Sequence, residues 1–237
     1  MKSVVFDVWH TLIEPTAGDD EYYSLRVRRL LESCGLNLSP DEFSRALNVY
    51  GEVRSEVEAR RRATLIEVPA EEEISRFFGR LGIDCDVGPE QLRAYAEPFL
   101  RLTALREGAK EVVESLHRAG LALGALANSP HGEMVRLRLE AAGLSLYFRA
   151  IVSSGDVGLR KPHPAAFRAV LSRLGSSPEE ALMVGDDPEA DVGGAKSIGM
   201  RAVWVVRPGV APPEDADGVV RNLRDLLKVV RDMGWLT

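Results

Sequence analysis

The chain has 237 residues, room for one large domain or for a core with a smaller companion at roughly 100–200 residues per domain. Its 45% apolar and 28% charged residues, with both signs interspersed, describe a soluble globular protein and exclude extended disorder. A net charge of -6 gives nucleic acid or an anionic membrane no electrostatic hold, so neither is expected as a partner.

Residues 3–8 form a short, nearly continuous apolar run that Asp7 interrupts, the pattern of a strand buried on both faces of a parallel sheet. The same interruption denies the N-terminus the apolar segment of a secretory signal. No later stretch approaches the ~20 apolar residues of a membrane span, so the cytosol is the expected compartment. From residue 19 to about 105 the apolar residues take up helical spacing. Leu25, Leu30, Leu31 and Cys34 share one stripe, and Gly35 is a stop signal. Ser39-Pro40-Asp41-Glu42 supplies an N-cap, a first-turn proline and the glutamate of a capping box, so a long helix is expected through about Arg62. Further helices are expected over 70–81 and 89–102, with Pro98 kinking or dividing the second. Cys34 and Cys85 lie far apart without a C-x-x-C neighbour, so they are expected to be small buried hydrophobes rather than a disulfide.

After Arg106 helix and strand alternate. A helix over 107–118 ends at Gly120, and strands are expected over 121–127, 150–152, 181–184 and 202–206. Helices are expected near 133–142, 164–174 and 189–198, with a closing helix over 223–233. Repeated βα units predict an α/β fold, a Rossmann-like doubly wound parallel sheet with helices on both faces. Residues 1–15 and 106–237 then make the α/β core, and 16–105 a helical cap inserted after the first strand.

In open parallel sheets ligands bind beyond the carboxyl ends of the strands. Four polar clusters fall there: Asp7, Asn128-Ser129, Arg160-Lys161, and Asp186-Asp187 with Asp191. The segments FDVWHTL from Phe6, RKPHPAAF from Arg160 and VGDDPEADVGGAKSIGM from Val184 occur in that order, with a helical insertion after the first. In this the chain resembles, over essentially its whole length, the haloacid dehalogenase-like hydrolase superfamily with a C1-type cap. The resemblance implies that Asp7 is the nucleophile and that Lys161 neutralises both Asp7 and a phosphoryl group. It implies a Mg2+ ion held by Asp7, the backbone carbonyl of Trp9 and Asp186, with Asp187 or Asp191 holding metal-bound water. Thr11 and the Asn128–Ser129 turn would bind phosphate oxygens. The expected enzyme is a phosphatase acting on a small phosphorylated metabolite, as a monomer or homodimer. These residue types suit the chemistry, because phosphoryl transfer needs an in-line nucleophile and dense positive charge around the equatorial oxygens. Several carboxylates close together repel without a cation, so the acidic cluster itself argues for metal.

Plainer readings stand beside these. Asp186, Asp187 and Asp191 also suit the cap and first turn of the helix that follows them. His163 stands where the family has aspartate and is expected to cap its helix. His10 is the histidine near the nucleophile in sequence and a candidate acid-base group. The arginines at 26, 28 and 29 and at 60–62 are expected on solvated helix faces, with an anionic substrate as their other use.

Two positions depart from the phosphatase pattern. Trp9 occupies the place of the aspartate that protonates the leaving alkoxide, and an indole cannot exchange a proton usefully near neutral pH. Ala127 replaces a hydroxyl residue. An aromatic residue at the Trp9 position is also found in metal-independent 2-haloacid dehalogenases, which makes that activity the alternative. A weakly active scaffold that binds phosphometabolites is a third reading.

Overall fold

In the computed structural model, which describes residues 1–236, a six-stranded parallel sheet has the order β5-β4-β1-β6-β7-β8. Its strands are β1 (Ser3–Phe6), β4 (Ala122–Ala127), β5 (Ala150–Ser153), β6 (Ala181–Gly185), β7 (Arg201–Val205) and β8 (Gly218–Val220). The central strand β1 is fully buried, with Val4 and Phe6 in one apolar cluster and Val5 in the other. That is why these strands read as continuous apolar runs: each face packs against a helical layer. Chain crossovers on either side of β1 make the sheet doubly wound, and the crevice at the carboxyl ends of β1 and β6 lies beside that reversal.

Between β1 and the next core elements, a two-stranded antiparallel ribbon pairs β2 (Ile13–Pro15) with β3 (Thr103–Leu105). The ribbon brackets four helices, α1 (Asp19–Glu32), α2 (Pro40–Thr64), α3 (Ala70–Leu81) and α4 (Pro89–Arg101). They bury their own apolar cluster, including Leu30, Tyr50, Ile74 and Phe77. The Ser39–Glu42 capping box forms as expected and starts α2. Pro98 does not divide α4, which runs on to Arg101. A proline removes one backbone bond near the helix end, while Tyr95 and Phe99 stay buried on either side of it.

Several expectations need correction. Cys34 and Cys85 are not free hydrophobes but form a disulfide between the end of α1 and the α3–α4 loop, 51 residues apart in sequence. No local motif announces that pairing, which depends on how the helices fold back. The helix expected over 189–198 is a π-type turn at Pro188–Gly193 followed by a short helix at Gly194–Ser197. The closing helix is shorter, a 3₁₀ turn at Leu223–Asp225 leading into a helix at Leu226–Asp232. Strands β2, β3 and β8 have three residues each, too few for a periodicity to register. Among the described residues no helix is long and apolar enough to cross a membrane.

Candidate active site

Asp7 follows β1, and Asp186 and Asp191 follow β6. Each offers a carboxylate oxygen, and these oxygens lie within 4.8 Å of one another. Lys161 Nζ donates to Asp7 Oδ1 and to Asp191 Oδ1, both at 2.6 Å, and all four side chains are buried. Gly185 makes room for this arrangement, because a Cβ there would collide with the Asp191 carboxylate. The Asp187 amide, in turn, donates to Asp191 Oδ2 at 3.0 Å.

The remaining expected site residues divide into those at the centre and those that support it. Asn128 holds the Lys161 backbone from both sides: Nδ2 donates to the Lys161 carbonyl at 3.0 Å, and Oδ1 accepts from its amide at 2.8 Å. Thr11 is fully buried and its hydroxyl donates to Asp186 Oδ1 at 3.3 Å, so in this structure it positions a carboxylate. Ser129 Oγ donates to the His131 carbonyl at 3.2 Å. Asp187 is exposed, and its Oδ1 caps the following turn by accepting from Glu189 and Ala190 amides at 3.0 and 2.8 Å. For Asp187 the capping reading therefore holds. His163 Nδ1 accepts from the Ala165 amide at 3.2 Å, the expected helix cap.

These groups open onto a cavity of about 470 Å³, within the size range of small-molecule sites. Asp7, Asn128, Ser129, Lys161, Asp186 and Asp191 line its core side. Its other wall comes from the helical block, through Tyr22, Tyr23 and Arg26 of α1, Arg54 of α2, and Tyr95 and Phe99 of α4. Trp9 sits between the two, stacked on Phe99 with centroids 5.4 Å apart and edge-on to Tyr22 at 5.8 Å. His10 also lines the cavity, in a left-handed backbone conformation with φ 62° that is pinned by its amide bond to the Ile13 carbonyl.

The expectation of solvated arginines fails at two positions. Arg26 is buried among phenol rings, 3.9 Å from the Tyr95 centroid, and donates to the Tyr95 carbonyl and to the Tyr22 and Tyr50 hydroxyls. Arg61 is buried against Glu67 and Glu73 at 2.6 and 3.0 Å. Glu67 was not singled out by sequence and joins the two parts of the molecule. It also receives Arg160 Nη1 at 2.8 Å and the Ser154 hydroxyl. Alongside it the Glu67 amide donates to the Gly158 carbonyl and the Arg160 amide to the Leu65 carbonyl, each at 2.9 Å. Arg207 was also missed, and it contacts Asp186 Oδ2 at 3.3 Å. It follows β7 at its carboxyl end, so the strand-end rule could have found it.

The cluster's electrostatics follow from burial and crowding. Burial, reinforced by Asp191, pushes Asp186 up to about 6. Burial likewise pushes Asp191 up to about 7 against the attraction of Lys161, with Asp7 adding to the rise. Asp7 is raised by burial and, less strongly, by Asp186. For Lys161 burial favours the neutral amine, but Asp191 and Asp7 outweigh it and keep the ammonium charged. Burial, aided by Arg207 and Arg106, lowers the His10 pKa and favours a neutral imidazole.

A family model described as haloacid dehalogenase-like hydrolase matches residues 1–199. A phosphoserine phosphatase from Thermus thermophilus is 40% identical over 144 residues, covering 60% of this chain and 57% of that protein. A glyceraldehyde 3-phosphate phosphatase from Pyrococcus furiosus is 35% identical over 159 residues, covering 62% of this chain and 65% of that protein. The matched regions thus span less than two thirds of either relative. The crystal structure of a HAD phosphatase from Thermococcus onnurineus, 29% identical, superposes with a TM-score of 0.68 over 97% of this chain and 98% of that one. A 2-haloacid dehalogenase from Pseudomonas syringae pv. Tomato, 23% identical, shares the fold with a TM-score of 0.67 over 98% and 99% of the two chains. Matched by the family model over most of its length and carrying the three motifs around one cavity, the chain belongs to the haloacid dehalogenase-like hydrolase family.

Proposed function

We propose that the protein is a Mg2+-dependent hydrolase of small phosphate monoesters, with the helical block at residues 16–105 as its cap. The observation that carries this reading is the buried group of Asp7, Asp186 and Asp191 around Lys161, facing a cavity of metabolite size. An all-oxygen donor set fits a hard divalent cation, and raised carboxyl pKa values are those of an acidic cluster before a cation joins it. Asp7, Asp186 and the Trp9 carbonyl would hold the ion, with Asp191 or Asp187 holding a water on it. When bound, Mg2+ supplies positive charge against the phosphoryl oxygens.

The chain's own residues supply the rest. Lys161 engages Asp7 Oδ1, which leaves Oδ2 to attack phosphorus. That attack forms an aspartyl-phosphate and breaks the bond from phosphorus to the ester oxygen, which leaves with the electron pair and takes up a proton. Lys161 offsets charge on both the nucleophile and the phosphoryl group, and Asn128 fixes where Lys161 begins. The turn at Asn128 and Ser129 meets the phosphoryl oxygens. Water then attacks the aspartyl-phosphate and releases phosphate. Trp9 offers no useful proton in either step, so both proceed without the family's acid-base aspartate, and His10, which lines the same cavity, is the candidate replacement. Asp7→Asn is expected to abolish hydrolysis of p-nitrophenyl phosphate, because an amide cannot form the acyl-phosphate. Wild-type turnover by a clean Asp7→Asn preparation would remove the nucleophile. The second reading, dehalogenation, rests on the aromatic Trp9. Halide release from L-2-chloropropionate undiminished by EDTA would favour it.

A further inference from the structure

The phosphoryl end of the cavity has its cations, but the wall opposite carries positive charge that the reaction does not use. Arg54 of α2 lines the cavity with its guanidinium 3.9 Å from the centre of the Tyr23 ring. Among the described residues it forms no ion pair and no side-chain hydrogen bond. The three arginines at the end of the same helix differ: Arg60, Arg61 and Arg62 are each paired with glutamate. A guanidinium covered on one face by an aromatic ring keeps its in-plane N–H donors, and a planar fork with free donors matches a carboxylate or phosphate bidentately. Behind it Arg26 is buried, and its three hydrogen bonds go to neutral oxygens of tyrosines. A second positive charge therefore stands at the same wall without a carboxylate bonded to it. Asp19 is the acidic residue on that side of the cavity, and it is exposed.

Building on the phosphatase reading, we propose that Arg54 anchors a second anionic group of the substrate. The substrate class is then a small phosphomonoester whose short carbon skeleton carries a carboxylate or a second phosphate away from the scissile group. Tyr23 holds the guanidinium in place and Arg26 adds to the attraction without direct contact. An ammonium or uncharged group at that end would leave Arg54 facing the ligand without a counter-ion, whereas Arg26 has buried Glu73 behind the Tyr50 hydroxyl.

The test compares three probes of similar length with Mg2+: ethyl phosphate, 2-phosphoglycolate, and ethylene glycol bisphosphate. Wild type is expected to favour, in kcat/KM, one or both of the probes that carry a second anionic group. Arg54→Gln is expected to cut that preference roughly 10–100-fold, as for loss of a charge-assisted hydrogen bond, with an unchanged melting temperature as the folding control. Arg54→Lys should fall between, since an ammonium keeps the charge but not the fork. Which probe loses more tells carboxylate from phosphate. Equal losses on all three probes, or a wild type that prefers ethyl phosphate, would overturn the proposal. Calorimetric binding of phosphonoacetate against ethylphosphonate separates it from the underlying reading. Arg54-dependent preference for phosphonoacetate without turnover of any ester would keep the anion subsite and defeat the phosphatase. Turnover without any Arg54-dependent preference would do the reverse.

Discussion

Trp9 is the residue where the phosphatase reading is most exposed to test. Its ring packs between Phe99 and Tyr22 at the seam of core and helical block, so it contributes adhesion where the family's aspartate would contribute a proton. Trp9→Asp is expected to lower stability by up to about 3 kcal/mol through loss of that packing. It should nevertheless speed hydrolysis of alkyl phosphates about 10²–10⁴-fold more than that of p-nitrophenyl phosphate, because nitrophenolate needs no proton to leave. In wild type an aryl phosphate should give a burst in rapid-quench kinetics, since the second step also lacks that base. High and equal wild-type rates on alkyl and aryl esters, without a burst and lost in His10→Ala, would make His10 the acid-base group. A folded Trp9→Asp that accelerates neither ester would defeat the missing-acid explanation.

At the scale of elements, the α2–α3 loop is tied to the loop that delivers Lys161. Glu67 is buried with Arg61, Arg160 and Ser154, and the backbone bonds at Leu65 and Gly158 flank it. Neutralising one member of such a network leaves buried charge uncompensated, so Glu67→Gln should cost about 2–4 kcal/mol in chemical denaturation. Because Arg160 precedes Lys161, kcat should also fall about tenfold with KM little changed. A variant that loses stability but keeps kcat would confine Glu67 to folding. The Cys34–Cys85 disulfide closes a loop within the helical block, and its reduction should lower stability by about 2–4 kcal/mol. An unchanged melting temperature in dithiothreitol, with free thiols titrated, would count against it. Neither tie was legible in sequence, because Glu67 and the cysteines meet partners on other elements. The same holds for buried Arg26 and Arg61, whose phenol and carboxylate neighbours come largely from other helices. What sequence did carry was the sheet, because β1, β4 and β6 are buried on both faces and so are continuous in apolar residues. Asp7, Lys161, Asp186 and Asp191 were legible because the strand ends give their places. Thr11 and Asn128 were found as residues, but their hydrogen bonds to Asp186 and to the Lys161 backbone needed coordinates.

Over the whole molecule, the acidic cluster makes stability depend on pH, and on the proposed metal site a cation would oppose that dependence. An unfolded aspartate titrates near about 3.9, whereas burial and mutual repulsion lift Asp186 to about 6 and Asp191 to about 7 in the folded chain. Between those limits the metal-free folded protein binds more protons than the unfolded one. Its stability from these groups is therefore full below the unfolded pKa and is lost as pH rises through the folded values. On the proposed metal site Mg2+ would displace those protons and supply the missing charge, so its stabilising effect is expected to be small near pH 5 and large near pH 8. Scanning calorimetry in EDTA should show the melting temperature falling as pH rises from about 5 to 8, and in excess Mg2+ a much flatter curve. Asp191→Asn removes one titrating carboxylate and should reduce the slope in EDTA. A flat EDTA profile, or a slope unaltered by Asp191→Asn, would place the pH dependence elsewhere. An equal Mg2+ effect at both ends of the range would mean that the ion does not bind at these carboxylates.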